Sequence, residues 1–306
     1  LSRKGSQMLV RRWLDAAGIT DPVLRHCYTV CAREVSGLVE GGRGRWGALR
    51  IAPAAARPHT AALVAYGCRA DACADSGPVE SRQRRLAEFA EATWAAFAAG
   101  GSHDAVLHAT VHTYRTFGMP LSLIEDMFTG MQRDVDFRDF ATYAELCQWA
   151  TQVAGYPLYG FMWAVAGTEL TEAQPLVREF AQLGQLTDVL CDLSEDLDEG
   201  RLYLPLEDLH QFGVHPEDVK AKRWTPAMAD VIAFEAARAT DRLPALAAEL
   251  EHTPVGPVIH AFSEHHRLLL AGVLAAGQDV LHQPVQPPMG AFLNTWRPHM
   301  RAVIPC

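Results

Sequence analysis

Asp188, Asp192 and Asp196 recur every fourth residue in the stretch Leu183–Pro205. On an α-helix that spacing stacks three carboxylates on one face, one turn apart. Like charges four residues apart destabilise an isolated helix. Leu186, Val189, Leu190, Leu193 and Leu197 occupy much of the remaining surface, so the helix is expected to be largely buried. Carboxylates held beside apolar flanks need a cationic partner. A hard divalent cation fits: Mg²⁺ takes one or two carboxylates and leaves substrate phosphates to complete its shell. The plainer alternative is a solvated acidic face running into a loop.

Asp71 and Asp75 form a second set, again four apart, with small residues between them and Arg69 two positions before. Small neighbours leave room at the helix surface for a ligand or metal. Taken alone, such a pair describes an ordinary helix surface; two sets in one acidic chain are far more specific. Facing each other across a helical bundle, they would hold metal ions that clamp a diphosphate. The cations would stabilise departing pyrophosphate as Lewis acids, and a low-dielectric cavity would host the carbocation left behind.

Helices must carry both sets, and helical periodicity dominates the chain, with no convincing run of alternating strand residues. A first helix is expected over Leu9–Ala17. A second starts at Asp21-Pro22, with Asp as N-cap and Pro at the first helical position. The glycine-rich stretch from Gly37 to Pro58 reads as a loop or broken segment. Helices are then expected over Ala61–Ala74, Ser81–Ala98, Ala105–Phe117, Pro120–Phe137, Tyr143–Gly155 and Val177–Leu197, with two or three more between Pro226 and Leu281. Gly155–Gly167 reads as a buried helix. No linker is long enough to separate two domains. The expectation is one all-α domain over residues 9–306, after a start, residues 1–8, that reads as a tag remnant or disordered.

Composition narrows the function. The 306 residues are 49% hydrophobic and 21% charged, with a net charge of -9. No basic footprint points to nucleic acid or an anionic membrane. No run reaches the roughly 18 apolar residues of a membrane span, so no transmembrane anchor is expected. Seven irregularly spaced cysteines suit reduced thiols in a cytoplasmic protein better than a disulfide framework. No G-x-G-x-x-G loop announces a nicotinamide cofactor. His265-His266 and the group His103, His108 and His112 lack metal-site companions and read as packed or exposed.

These residues resemble the squalene/phytoene synthase family. Gln185-Leu-Thr-Asp-Val-Leu-Cys-Asp-Leu-Ser-Glu-Asp196 is similar to its QLxNILRDxxED, and Gly200-Arg-Leu-Tyr-Leu-Pro205 to its GRxYLP. Glu207, Asp208, Leu209, Phe212 and Gly213 continue the match. Asp71–Asp75 sits where the family's first DxxxD would be, and Gly130–Asp134 resembles its GMxxD. Tyr143–Gly155 and Gly277–Val280 resemble two further segments, so the likeness runs from about Tyr28 to Val285.

The resemblance implies an isoprenoid-synthase helical bundle around a central cavity. It implies Mg²⁺, or Mn²⁺ in its place, as cofactor and farnesyl or geranylgeranyl diphosphate as substrate; the sequence leaves monomer and homodimer both open. It makes Asp71, Asp75, Asp192 and Asp196 metal ligands and catalytic residues; Asp188, standing where the family has Asn, is a departure that adds a further candidate ligand. Arg69, Gln185, Arg201 and Tyr203 would surround the diphosphate.

The departures bear on the reaction. The family's early His/Ser-Ser-Phe segment has no counterpart; Gly44-Arg-Trp-Gly47 lies there. Its arginine before the second acidic motif is Cys191, and its late arginine before Val is Pro284. Arg69 lies one residue closer to Asp71 than usual. Groups that manage two diphosphates are thus missing or moved. Cyclisation of one substrate ranks first on this ground, with Trp149, Tyr156, Tyr159, Phe161 and Trp163 available to line a pocket. Head-to-head condensation of two diphosphates ranks second, and a non-catalytic homologue third.

Overall fold

The computed structural model describes residues 3–37, 49–75, 77–288, 290–291 and 294–296. Residues 44–47, Cys306 and the Tyr156 side chain lie outside the described residues. The protein is helical, with no strand among the described residues. The chain divides into two compact units.

The first unit takes the chain up to Val135 together with Tyr156–Gln174. It contains α1 (Arg3–Ala16), α2 (Pro22–Gly37), α3 (Arg57–Asp75), α4 (Val79–Ala99), α5 (Ala105–Phe117) and α6 (Ser122–Val135). α1 begins ahead of the expected Leu9. α2 starts as expected: the Asp21 carboxylate accepts from the Leu24 N–H at 2.8 Å. α5 is capped the same way, with Asp104 accepting from Val106 N–H and Leu107 N–H. α3 is the centre of this unit and packs on α2, α4 and α5. Its small residues Ala61, Ala62, Ala65 and Ala70 are buried, which lets neighbouring helices come close. Tyr28 of α2, His59 of α3 and His112 and Thr113 of α5 meet in a polar knot. The Tyr28 hydroxyl lies 3.0 Å from His59 Nδ1, 2.8 Å from His112 Nδ1 and 2.9 Å from Thr113 Oγ1.

The second unit takes Asp136–Gly155 and the chain from Pro175 onward. α7 (Tyr143–Ala166) joins the expected helices Tyr143–Gly155 and Gly155–Gly167 into one, and so contributes residues to both units. α8 (Gln174–Cys191), α9 (Leu193–Asp198), α10 (Leu206–Gln211), α11 (Pro216–Lys220), α12 (Pro226–Glu249), α13 (Gly256–Ala276) and a 3₁₀ turn (Gly277–Leu281) follow. The hairpin of α12 on α13 is its largest packed element pair. The short helices α10 and α11 were not anticipated, since five or six residues are too few to show a period. None of the described helices is long and apolar enough to cross a membrane. The six described cysteines are free thiols.

Candidate active site

Asp71 and Asp75 close the last turn of α3, Asp71 half-buried and Asp75 exposed. Their helix is uninterrupted, so the four-residue spacing puts both carboxylates on one face. Arg69 sits 200° around that helix from Asp71 by the 100° advance of each residue. It therefore points elsewhere. Its Nε and Nη2 donate to the two Glu34 oxygens at 3.1 and 2.6 Å, and its Nη1 donates to both Asp104 oxygens at 2.9 and 2.7 Å. Burial opposes the guanidinium's charge, but the two carboxylates outweigh it and raise its pKa above the ordinary arginine value. Arg69, expected beside a diphosphate, lies here as a strut joining α2, α3 and the cap of α5. The two-residue step from Arg69 to Asp71 sets that direction.

Arg82 and Arg85 fold back on the turn after α3. Arg82 Nε donates to the Gly77 carbonyl at 2.7 Å, and Arg85 Nη2 lies 3.4 Å from the Cys73 carbonyl. Arg84 is the solvated member, paired loosely with Glu88 at 3.7 Å. An open cavity of about 550 Å³ in this unit, lined by Trp94, Phe97, Tyr114, Arg115 and Met119 among others, contains none of the aspartates.

The second set departs from the expected continuous helix. α8 stops at Cys191 and α9 starts at Leu193, with Asp192 between them at φ -100°, ψ 9°. The cause is a captured carbonyl. Val285 N–H donates to the Cys191 carbonyl at 2.8 Å, and Glu195 N–H, its helical partner by spacing, bonds the Asp192 carbonyl at 2.9 Å. The break is nevertheless mild. Asp192 N–H still reaches the Asp188 carbonyl at 2.9 Å, and Asp196 N–H reaches the Asp192 carbonyl at 3.0 Å. Asp188 and Asp192 are exposed, Asp196 is half-buried, and Leu193, Ser194 and Leu197 anchor α9 from below. Gln185 is half-buried and lies three residues before Asp188 and seven before Asp192, on the same helix face.

The captured carbonyl also brings together the two positions where the resemblance expects arginine. Cys191 and Pro284 become neighbours through the Val285 bond. Cys191 is buried, and burial pushes its thiol up, so it offers no charge at pH 7.

Gly200 turns the chain after α9. It holds φ 77° with nothing within 4 Å of a would-be Cβ, so its requirement is conformational rather than steric. Arg201 follows, buried, with Nη2 3.3 Å from Glu199. Tyr203 enters an aromatic cluster: its ring lies 4.7 Å from Trp149, 5.0 Å from Phe137 and 5.9 Å from Phe140. Trp149, expected among pocket-lining aromatics, is part of this packing.

A further network, invisible in sequence, pins the segment after Tyr203. Arg238 of α12 donates to both Asp208 oxygens at 2.7 and 3.0 Å and to Glu235 at 2.8 Å. Its guanidinium stacks 3.9 Å over Tyr143 and 4.5 Å over Phe234. Glu235 is fully buried, and burial pushes its carboxyl up to about 8. A spacing rule across 30 residues could not have paired Asp208 with Arg238. His265 and His266 are buried among Phe262, Phe180 and Trp296 as a packed pair.

Among the described residues no three His, Cys, Asp or Glu side chains form a closed metal cage. The donors present are carboxylate oxygens, largely accessible, in sets of two and three along helix faces. That donor set fits Mg²⁺, which leaves most of its shell to water and phosphate.

The profile of one protein family, described as squalene/phytoene synthase, matches residues 38–291. A "Bifunctional protein CrtB/UppS" of Streptomyces coelicolor is 30% identical over 213 residues, 67% of this chain and 36% of that protein. The phytoene synthase of Thermus thermophilus is 32% identical over 164 residues, 53% of this chain and 56% of its own length. The chain thus spans between about a third and somewhat over half of these curated relatives. Among solved structures, squalene synthase HpnC from Alicyclobacillus acidocaldarius superposes with a TM-score of 0.75 at 23% identity, covering 88% of this chain and 99% of that one. A dehydrosqualene synthase reaches 0.79 at 18% identity, covering 92% and 97%. At such identities the likeness speaks to the fold.

Proposed function

Since the chain belongs to the squalene/phytoene synthase family, we propose that it joins two prenyl diphosphates, farnesyl or geranylgeranyl, head to head. The observation that carries this reading is the family match extending over both aspartate sets and the turn at Gly200. Members of the family are prenyltransferases acting on prenyl diphosphates. This ranks condensation above cyclisation, reversing the order drawn from the missing basic residues.

Asp71 and Asp75 on α3, and Asp188, Asp192 and Asp196 along α8 and α9, would hold Mg²⁺. The bound cation would offset the charge of departing pyrophosphate. The aspartates would fix where the diphosphate sits, which converts ionisation into a positioned, near-unimolecular step. The Gln185 amide, on the aspartate face of α8, would donate to a diphosphate oxygen. Arg201 would act from its buried place after the Gly200 turn, and Tyr203 would keep that turn docked on the Trp149 cluster.

One observation favours a second reading, cyclisation of a single diphosphate. Cys191 and Pro284 converge, so two expected cations are lost from one place beside Asp192.

Incubation with Mg²⁺ and farnesyl or geranylgeranyl diphosphate, each alone, separates the readings. A linear thirty- or forty-carbon product supports condensation. A cyclic fifteen- or twenty-carbon hydrocarbon overturns it in favour of the second reading. Absence of pyrophosphate release with either substrate defeats both.

A further inference from the structure

Three successive short helices end in the same backbone device. In each, the N–H one past the cap bonds a carbonyl three residues back, and the next N–H reaches five back, the pattern of a Schellman turn. At α9, Gly200 N–H meets the Leu197 carbonyl at 3.1 Å and Arg201 N–H the Asp196 carbonyl at 2.8 Å. At α10, Gly213 N–H meets His210 at 3.0 Å and Val214 N–H meets Leu209 at 2.8 Å. At α11, Lys222 N–H meets Val219 at 2.8 Å and Arg223 N–H meets Asp218 at 2.9 Å.

The turn needs a left-handed residue, and two of the three are glycine: Gly200 at φ 77° and Gly213 at φ 69°. The third is Lys222 at φ 54°, the one non-glycine with positive φ among the described residues. A Cβ in that conformation crowds the following carbonyl, which is why glycine normally takes the place. The lysine side chain must do something that glycine could not.

Its Nζ reaches back to α9. It donates to Asp198 Oδ1 at 2.6 Å and to the Ser194 carbonyl at 3.2 Å, with the side chain about one-fifth exposed (21%). α9 needs such a partner. Six residues, Leu-Ser-Glu-Asp-Leu-Asp, are too few to hold a helix unaided. Asp198 and Glu199 sit at its C-terminal end, where negative charge opposes the helix dipole and a cation favours it. Cys191, directly before Asp192, is buried and brings no cation of its own.

We propose that Lys222 is a positioning residue for the Asp192–Asp196 carboxylates: it holds α9 in register and supplies that acidic helix with a fixed cation. The catalytic part rests on the proposed function; the ordering of α9 does not.

The test uses Lys222→Gly and Lys222→Arg in the full chain. Lys222→Gly removes the ammonium while relieving the backbone, so the melting temperature should hold or rise. Amide hydrogen exchange across Leu193–Asp198 should nevertheless quicken about tenfold. The Mg²⁺ concentration giving half-maximal pyrophosphate release should rise several-fold, with the KM for prenyl diphosphate little changed. Lys222→Arg should restore both readouts in large part. Unchanged exchange in α9 together with unchanged Mg²⁺ dependence would overturn the proposal. Faster exchange in Lys222→Gly, with no pyrophosphate release even from the parent protein, would uphold the hold on α9 and sink the enzymatic reading instead.

Discussion

The two aspartate sets are built in contrasting ways. Asp71 and Asp75 ride on one continuous helix whose apolar face fills the middle of the first unit. Local rules are enough there: an alanine-rich segment forms a helix, and four-residue spacing aligns the carboxylates. Asp188, Asp192 and Asp196 instead straddle a break, and each part of the break has a tertiary cause. Val285 captures the Cys191 carbonyl, Gly200 turns the chain, and Lys222 steadies α9. Cations are handled differently too. Arg69 lies against Glu34 and Asp104, locking helices to each other, whereas Lys222 reaches the acidic helix itself. One spacing in sequence can thus rest on a helix that forms locally or on one assembled from distant contacts.

Removing a carboxylate from either region gives the largest expected effect. Asp71→Ala and Asp192→Ala should each lower pyrophosphate release at least ~1,000-fold, a loss of about 4 kcal/mol in transition-state stabilisation. Circular dichroism should show helix content retained. Near-normal turnover in one variant would mean that only the other set serves the reaction.

Arg69 tests the first region's locking. Arg69→Ala should destabilise the protein by about 2 kcal/mol in denaturant titration, because it strands two carboxylates that the guanidinium now joins. If stability held while the KM for prenyl diphosphate rose sharply, Arg69 would be a substrate ligand rather than a strut.

A smaller effect separates the units by pH. Glu235 in the second unit has its carboxyl raised from 4.5 to about 8 by burial. The folded state therefore holds a proton that the unfolded state releases, so stability falls as pH rises from about 4.5 to about 8. Glu235→Gln should flatten that decline in melting temperature. His59 in the first unit behaves oppositely: burial lowers it from 6.5 to about 4, so its contribution is present above 6.5 and lost as pH falls toward 4. Glu235→Gln should leave that acid limb unchanged.

Much of the fold was legible residue by residue. The helix α5 spans the expected Ala105–Phe117, and Asp21 caps α2 as read. The aspartate sets were legible because a period of four is a local property. Arg69's direction was half legible, in the spacing that sets it apart from Asp71. The hub of Arg238, Asp208 and Glu235 was not, since Asp208 stands on α10 while Arg238 and Glu235 stand on α12. Nor was Lys222, since nothing about lysine marks a left-handed turn.

The sequence by itself determined the helical class, the family, and which carboxylates share a helix face, because helical periodicity and motif order are written in near neighbours. Tertiary structure alone decided where α8 yields to α9, which carboxylates Arg69 and Lys222 meet, and that positions 191 and 284 adjoin. Those outcomes depend on which distant N–H or ammonium reaches a given oxygen first, and chain spacing carries no record of that.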